Sequence, residues 1–273
     1  MLEKIKESAA SIRSKTNFMP DFGIILGTGL GGLVKEMQIE LSIPYTEIPN
    51  FPVSTVESHA GRLVFGFLGG KKIVVMQGRF HYYEGYSFQE ITFPIRVLKL
   101  LGIKKLFVSN ACGSVNPLMK TGELMIISDH INLLGGNPLR GRNLDEFGPR
   151  FPDMSEPYSR EMIKIAKEIA SAHNIKIHSG VYASVQGPNL ETQAEYHYLR
   201  TIGADVVGMS TIPEILVARH MGIPCFAISV ITDEGFHEVL EPVTLEDVLR
   251  AAGKAEPDMT LIMKELISSI DRY

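Results

Sequence analysis

Val207-Gly208-Met209-Ser210-Thr211-Ile212-Pro213-Glu214 is an abrupt change from apolar to small and polar residues in the C-terminal half of the chain. Residues Ala204-Asp205-Val206-Val207 predict a short buried strand, and the run from Ile212 to Met221 predicts a helix that ends at Gly222. The stretch is therefore expected to form a tight strand-to-helix turn.

The start of this helix carries candidate ligand groups. Thr211 and Glu214 have the spacing of a capping box, and Pro213 fits the first turn because its missing N–H costs nothing there. Ser210 precedes the N–H groups of the helix start, which favour an anion, and Gly208 allows a ligand close to the backbone. The alternative interpretation is a well-capped helix whose Ser and Thr bind nothing.

Composition places the chain among globular proteins. Its 273 residues, 45% of them hydrophobic, suffice for one large domain, 1–273, because no linker-like stretch divides them. The net charge of −4 gives no reason to expect a nucleic-acid partner. No signal-peptide pattern or long apolar run is present, which predicts no membrane partner and a cytoplasmic location. Cys112 and Cys225 are too few for a disulfide framework or a cysteine metal site.

A glycine-rich loop, Gly27-Thr28-Gly29-Leu30-Gly31-Gly32, comes after a buried strand predicted at 22–26. The glycine spacing matches a dinucleotide-binding fingerprint, with Glu47 at a suitable distance beyond. However, prolines in the segment 44–52 interrupt the helix and strand that a dinucleotide unit needs next. We therefore interpret the loop as a cradle in which backbone N–H groups and the Thr28 hydroxyl hold a single phosphate.

Two strands, 62–68 and 71–77, are predicted to form a hairpin at Gly69-Gly70, and the second strand leads to Arg79 and His81. Because residues two apart in an extended segment face the same side, the two side chains are expected to point together. A guanidinium fork suits phosphate, and the imidazole adds a second donor. Taken singly, a His or Arg at the end of a strand is usually a surface residue or a structural residue with its hydrogen bonds satisfied.

The rest of the chain alternates predicted strands and helices, with polar residues where strands end. Ligands bind at the carboxyl ends of strands in open α/β sheets, so the candidate site is expected there. Residues 110–113 are expected to form a small-residue turn, and 129–157 a long loop able to reach a neighbouring subunit. Further strands are predicted at 105–109, 124–128, 178–185 and 224–231, and helices at 1–15, 88–101, 159–174, 191–202 and from 244 onwards.

Five motifs occur in order along the chain: Gly27-Thr28-Gly29-Leu30-Gly31, Gln77-Gly78-Arg79-Phe80-His81-Tyr82-Tyr83-Glu84-Gly85, Arg150-Phe151-Pro152-Asp153-Met154-Ser155, Gly187-Pro188-Asn189-Leu190-Glu191-Thr192 and Gly208-Met209-Ser210-Thr211-Ile212-Pro213-Glu214. In this order, and over nearly the whole chain, the sequence resembles the trimeric, low-molecular-mass purine nucleoside phosphorylases. The resemblance implies a single α/β domain with a mixed central β-sheet, partly barrel-like and flanked by helices. It also implies a homotrimer, no metal and no cofactor, with inorganic phosphate as a co-substrate.

The resemblance also implies a role for each matching residue. Catalytic roles fall to His81, Glu191 and Asp233. The ribose is expected against Tyr83 and Met209, with Phe151 supplied by the adjacent subunit. Phosphate is expected to bind Thr28, His59, Arg79, His81, the Ala111 backbone and Ser210, and the purine to meet Leu190, Glu191, Val207, Thr232 and Asp233.

The chemistry of phosphorolysis suits such a residue set. Cleavage of the glycosidic bond builds oxocarbenium character on the sugar and negative charge on the leaving base. Phosphate held beside the anomeric carbon is both counter-charge and nucleophile. Fixing it there removes an entropic cost on the order of several kcal/mol. Hydrogen bonding or protonation at N7 stabilises the leaving purine. No side-chain nucleophile is required, and Cys112 is expected to be a small buried apolar residue.

Three positions depart from the family's commonest pattern. Asp233 replaces an Asn; an ionised Asp accepts from a 6-amino group, whereas Glu191 suits N1–H of a 6-oxopurine. One proton shared between the two carboxylates would keep 6-oxopurines as substrates. Leu245 replaces a His that touches the 5′-hydroxyl, with His237 as a candidate substitute, and Leu190 replaces an aromatic ring, which weakens stacking on the base.

The leading hypothesis is a purine nucleoside phosphorylase that acts on 6-oxopurine nucleosides such as inosine and guanosine. Because of Asp233 and Leu245, a phosphorylase that prefers 5′-methylthioadenosine or adenosine is the alternative. A nucleoside-binding protein without catalysis is the alternative from another class.

Overall fold

A computed structural model describes residues 1–28, 30–53 and 60–270. Gly29 and His59, both named above, lie outside the described residues. The helices are α1 (Leu2–Lys15), α2 (Phe88–Leu101), α3 (Arg160–Ala172), α4 (Gln193–Thr201), α5 (Ile212–His220) and α6 (Leu245–Ser269). The strands are β1 (Phe22–Leu26), β2 (Gln38–Pro44), β3 (Arg62–Leu68), β4 (Lys71–Gln77), β5 (Lys105–Ser114), β6 (Leu124–Asn132), β7 (Ile177–Ser184), β8 (Val206–Gly208) and β9 (Cys225–Glu234).

The strands form one mixed sheet in the order β2-β3-β4-β1-β5-β8-β7-β6-β9. The last strand, β9, pairs in parallel with β5 as well as antiparallel with β6, so that β5, β8, β7, β6 and β9 close into a ring. The predicted α/β class, with a mixed and partly barrel-like sheet flanked by helices, is confirmed. No helix in the described part of the chain is long and apolar enough to cross a membrane.

Apolar side chains fill a layer on each side of the sheet. Alternate residues of β1 face opposite layers, because Ile25 packs with α1, α2 and α5 whereas Ile24 packs with α3 and α6. The predicted hairpin between β3 and β4 is confirmed, and both of its turn glycines have positive φ, 57° at Gly69 and 77° at Gly70. Such φ values match the twist of a two-residue hairpin turn.

The dinucleotide interpretation of the glycine loop is excluded by the structure of the segment after β1. Residues Gly32–Glu36 form a short 3₁₀ helix, and β2 then pairs antiparallel with β3. A dinucleotide unit needs a full helix and a parallel strand at this point. Gly27 is required by packing instead, since a Cβ there would lie 2.8 Å from Asn110 Cα on β5.

Three sequence-based element boundaries are wrong, each because of pairing or capping elsewhere. The expected turn at 110–113 is strand, because β5 continues to pair with β9 as far as Glu234. The start of the expected loop at 129–132 is also strand, because β6 continues alongside β7. The helix expected from Glu191 begins at Gln193 instead, since Thr192 is its N-cap.

The predicted capping box at Thr211 and Glu214 is also wrong. Thr211 has φ of 73° and makes no side-chain cap bond to the helix start, although Pro213 does lie in the first turn of α5. A positive φ is uncommon for a β-branched residue and marks a strained turn. Gly208 has a structural reason of its own, because a Cβ there would lie 2.2 Å from the Tyr182 hydroxyl.

Candidate active site

A cavity of about 660 Å³, its open mouth included, lies where β1, β4, β5, β8 and β9 end. That volume is typical of small-molecule sites. The structure brings twelve of the predicted site residues to its wall: Thr28, Arg79, His81, Tyr83, Ala111, Leu190, Glu191, Val207, Met209, Ser210, Thr232 and Asp233. These residues span more than two hundred positions of the chain, and the fold, through strand ends and the loops beside them, places them together.

Arg79 is the most deeply buried charged residue of this wall, with 1% of its surface exposed. Its Nη2 and Nε atoms donate to Glu214 Oε1 at 2.7 and 3.2 Å, and Nη1 donates to the Ser109 carbonyl oxygen at 3.0 Å. The carboxylate and the carbonyl hold the plane of the guanidinium in one orientation. The wall therefore carries a cation that is already oriented before any ligand binds.

Ser210 stands at the end of a short hydrogen-bonded chain. Asn110 Nδ2 donates to Thr211 Oγ1 at 2.9 Å, and Thr211 Oγ1 lies 3.2 Å from Ser210 Oγ. When the Thr211 hydroxyl donates to Ser210, the Ser210 hydroxyl hydrogen remains available to a ligand. The backbone N–H of Ser210 also lies 3.4 Å from the Tyr182 hydroxyl oxygen, which restrains this turn.

His81 is held by Glu84, whose Oε1 lies 2.8 Å from both the backbone nitrogen and Nδ1 of His81. Burial lowers the pKa of His81, although Glu84 opposes that shift, so the ring is neutral at neutral pH. Because a carboxylate accepts, Nδ1 carries the hydrogen and Nε2 is an acceptor. The Tyr83 ring stacks on His81 at 4.6 Å between centroids, which further restricts the imidazole.

Asp233 and Thr232 form a second hydrogen-bonded group at the end of β9. Thr232 Oγ1 lies 2.9 Å from Asp233 Oδ1 and 3.1 Å from the Cys112 carbonyl oxygen. When Asp233 is neutral, each hydroxyl of this group has a hydrogen-bond acceptor, because the Asp233 hydroxyl donates to Thr232 and the Thr232 hydroxyl donates to the Cys112 carbonyl oxygen. Burial raises the pKa of the Asp233 carboxyl, and the neighbouring Glu234 charge adds to the shift.

Tyr196, on α4, joins the two carboxyl groups of the cavity. Its hydroxyl lies 3.3 Å from Asp233 Oδ2 and also hydrogen-bonds the Glu191 carboxyl. A phenol has one hydrogen, so it donates to one carboxylate at a time, and the other contact is complete only when that carboxyl is protonated. Burial raises the pKa of Glu191, and the Asp233 charge raises it further. The Glu191–Tyr196–Asp233 group therefore favours one retained proton.

Comparison with known proteins identifies the family of this chain. The model of the phosphorylase superfamily matches residues 21–268. Purine nucleoside phosphorylase 1 of Geobacillus stearothermophilus is 48% identical over 266 residues, which cover 97% of each chain. The chain belongs to the purine nucleoside phosphorylase family.

Solved structures of the family superpose closely. Schistosoma mansoni purine nucleoside phosphorylase in complex with adenosine has a TM-score of 0.93 and 44% identity, covering 98% of each chain. Schistosoma purine nucleoside phosphorylase in complex with guanosine has a TM-score of 0.92 and 43% identity, covering 98% of this chain and 97% of that one.

Some predicted residues do not reach the cavity wall. Phe151, which is expected to reach the cavity of an adjacent subunit, does not line the cavity of its own chain; it is 88% exposed, with the Arg150 guanidinium 5.8 Å from its ring centroid. Leu245 is 62% exposed, and His237 pairs with Glu234 at 3.1 Å instead of lining the cavity. Neither Leu245 nor His237 lines the cavity, and the residue that α6 contributes to its wall is Val248.

Sequence reasoning missed Glu214, Glu84, Asn110 and Tyr196. Glu214 was assigned to helix capping, and its spacing gave no sign of a partner 135 residues away. Glu84 lies three residues after His81, within reach of it in a tight turn, and this spacing was the available signal. Asn110 was placed in a turn, and Tyr196 carries no signal in the sequence that distinguishes it from an ordinary buried helix residue.

The described residues were also compared with the requirements of a metal site and of a side-chain nucleophile. In residues 1–28, 30–53 and 60–270, no group of three or more His, Cys, Asp or Glu side chains is placed to hold a metal ion. Cys112 lines the cavity, but burial raises the pKa of its thiol, so it is not an activated nucleophile. The side chains of the wall supply hydrogen-bonding groups, charged groups and two carboxyls with raised pKa values.

Proposed function

We propose that the protein catalyses the reversible phosphorolysis of purine ribonucleosides and deoxyribonucleosides to the free base and pentose 1-phosphate, with no cofactor. The observation that carries the proposal is one cavity wall that combines the oriented Arg79 guanidinium and Ser210 with the linked carboxyls of Glu191 and Asp233. The first pair matches an oxyanion, and the second matches the polar edge of a purine.

In the proposed reaction, phosphate binds to Thr28, Arg79, His81, Ser210 and the Ala111 backbone, and His59 is expected to close this group. A phosphate oxygen attacks the anomeric carbon as the glycosidic bond breaks, and the bonding electron pair leaves with the base. Fixed phosphate converts a reaction between two solutes into a step within one complex. The neutral His81 accepts a hydrogen bond from a protonated phosphate oxygen through Nε2.

The leaving base is proposed to be stabilised by the Glu191–Tyr196–Asp233 group. With the proton on Asp233, its one hydroxyl hydrogen is donated to Thr232 before a base binds and is proposed to turn to N7 or O6 of a 6-oxopurine when the base binds, while the ionised Glu191 accepts from N1–H. This arrangement favours inosine and guanosine. Leu190, Val207 and Thr232 complete the base site, and the ribose lies against Tyr83 and Met209.

The alternative is a preference for adenosine or 5′-methylthioadenosine. Asp233 supports it, because the ionised carboxylate accepts from a 6-amino group while a protonated Glu191 donates to N1. Leu245 supports it too, because the family resemblance places a histidine for the 5′-hydroxyl at this sequence position and a leucine cannot hydrogen-bond that hydroxyl. Relatives in the family have been solved with adenosine and with guanosine.

The assembly is proposed to be a cytoplasmic homotrimer in which residues 1–273 act as a single domain. A phenylalanine with 88% of its surface in water is unfavourable for an isolated chain, and Phe151 gains by burial in a neighbouring subunit. In the trimer, Phe151 closes the ribose side of the adjacent cavity.

The decisive experiment measures base release from inosine, adenosine and 5′-methylthioadenosine, with and without phosphate. We expect phosphate-dependent release, formation of pentose 1-phosphate and the highest kcat/KM for inosine. Release without phosphate would indicate a hydrolase. Binding of nucleosides with no product would indicate a binding protein, and fastest turnover of 5′-methylthioadenosine would support the alternative substrate.

A further inference from the structure

A second cavity lies between α2, the segment 138–144 and the C-terminal end of α5. It encloses about 560 Å³, its mouth included, and among the described residues it shares no lining side chain with the candidate active site. Arg96, Arg140, Arg142 and His220 line it, and its lining residues in the described part of the chain include no Asp or Glu. The cavity is therefore surrounded by positive and neutral groups.

Arg96 is the buried cation of this cavity, with 6% of its surface exposed. Its Nη1 atom is buried and has no hydrogen-bond partner among the described residues. The guanidinium lies 5.2 Å from the centroid of the Phe147 ring, which does not replace a hydrogen-bond acceptor. A buried charge without a counter-charge is strongly destabilising.

The charge on Arg96 persists at neutral pH. Burial lowers the pKa of Arg96 to about 10, which leaves the guanidinium protonated. A guanidinium presents five N–H donors in a planar fork that matches carboxylate and phosphate oxygens. The natural complement of this side chain is therefore an oxyanion.

The His220 and Thr92 side chains of the cavity form their hydrogen bonds with groups other than Arg96. His220 Nε2 lies 3.1 Å from Asn143 Oδ1, and burial lowers the pKa of His220, so the ring is neutral and donates to that oxygen. The Thr92 hydroxyl donates to the Phe88 carbonyl oxygen of its own helix at 2.8 Å. Arg140 and Arg142 are exposed at the rim and add positive potential at the entrance.

We propose that this cavity is a second oxyanion site, in which the buried Arg96 guanidinium, supported by Arg140 and Arg142, binds a phosphate or carboxylate group. Two sources offer that chemistry. One is inorganic phosphate from solution, and the other is an Asp or Glu side chain of a second copy of this chain seated over the cavity. This site is separate from the proposed catalytic phosphate site. The proposal for one site can therefore be wrong while the proposal for the other is right.

The test combines equilibrium dialysis against radiolabelled inorganic phosphate with sedimentation velocity over a range of protein concentrations. The variants are Arg96→Gln, Ser210→Ala to identify phosphate bound in the candidate active site, and Arg200→Gln as a control at an exposed arginine. The double variant Arg140→Gln/Arg142→Gln changes only exposed side chains and serves if Arg96→Gln does not fold.

If phosphate from solution is the ligand, the wild type binds a second phosphate per chain that Ser210→Ala retains and Arg96→Gln weakens roughly tenfold or more. If a second copy supplies the oxyanion, phosphate stoichiometry is unchanged and Arg96→Gln weakens self-association by a similar factor. The control behaves as the wild type in both cases. The proposal is overturned if Arg96→Gln, or the double variant in its place, changes neither phosphate binding nor self-association.

Discussion

Glu214 Oε1 accepts hydrogen bonds from two nitrogens of Arg79, Nη2 at 2.7 Å and Nε at 3.2 Å, and both side chains are at most 3% exposed. This ion pair joins the strand-to-helix turn to the end of β4. Removing one member leaves the other charge buried and uncompensated, which typically costs about 3–5 kcal/mol. The pair therefore stabilises the fold as well as orienting Arg79 in the cavity wall.

We expect a double-mutant cycle of Arg79→Met and Glu214→Met to show strong coupling in the free energy of unfolding. Each single variant should lose about 3 kcal/mol or more, and the double variant clearly less than the sum. Urea denaturation measures all four proteins. The exposed pair Lys264 and Glu36, 2.7 Å apart, is the matched control, with expected coupling below about 1 kcal/mol. Additive losses at Arg79 and Glu214 would contradict a stabilising pair.

Asp233→Asn is expected to raise the preference for inosine over adenosine. The amide always has an N–H donor for N7 or O6, whereas Asp233 must keep a proton to donate. One gained or lost charge-assisted hydrogen bond changes the ratio of kcat/KM values by roughly tenfold or more. The measurement is kcat/KM for both nucleosides at saturating phosphate, and an unchanged ratio would mean that Asp233 does not contact the 6-substituent.

Tyr196→Phe is expected to shift the pH–rate profile for inosine to higher pH. The Tyr196 hydroxyl lowers the pKa of both Glu191 and Asp233 by hydrogen bonding to them, so its removal raises both pKa values. A higher pH is then needed to ionise one carboxyl of the pair, and the acidic limb of the profile moves upward. Tyr198→Phe, on the same helix but 52% exposed, is the control and should leave the profile in place. Identical profiles for both variants would remove Tyr196 from the proton-sharing group.

Mixing of two inactive chains tests whether Phe151 completes a neighbouring cavity. Phe151→Ala should lose ribose contacts, and Ser210→Ala should lose a phosphate contact, so each homotrimer should have low activity. In a mixed trimer, a cavity with intact Ser210 receives Phe151 from its neighbour, and part of the activity returns. The measurement is inosine phosphorolysis after the two proteins are denatured and refolded together, compared with separate refolding. No recovery from an assembly shown to be mixed would place Phe151 outside the shared site.

Stability in acid is expected to depend on Glu123. Burial alone would raise the pKa of Glu123, but hydrogen bonds from Lys176, the Lys120 backbone and His178 lower it to about 2. A carboxyl whose pKa is lower in the folded state stabilises the protein above the unfolded-state pKa, and that contribution disappears as pH falls towards 2.

Urea denaturation between pH 6 and pH 3 should therefore show a smaller loss of stability for Glu123→Gln than for the wild type. Glu146→Gln, which changes an exposed carboxylate, is the control and should behave as the wild type. A Glu123→Gln slope as steep as the wild type would assign the acid sensitivity to other groups.

Sequence patterns predicted the turns and helices whose conformation depends on residues close together in the chain. The Gly69-Gly70 hairpin and the helix α2 were predictable, because turn conformation, capping by Ser87 and apolar periodicity depend on residues close in sequence. Motif order also sufficed for the family, and twelve of the residues that it named line the cavity, although Asn110 and Val248 were not among them. The glycine loop was correctly separated from a dinucleotide unit, since prolines near a strand disfavour the required helix.

The partners of buried polar groups were decided by tertiary structure alone. Glu214 pairs with Arg79 instead of capping α5, Tyr196 reaches Asp233 from another helix, and β5 continues beyond Ser109 because β9 lies beside it. Arg96 belongs to the same class, since the sequence of its helix gives no sign of the basic cavity that it faces. A charge or hydroxyl removed from water is stabilised by whichever complementary group the fold places within about 3 Å, and sequence spacing does not specify that distance for residues a hundred positions apart.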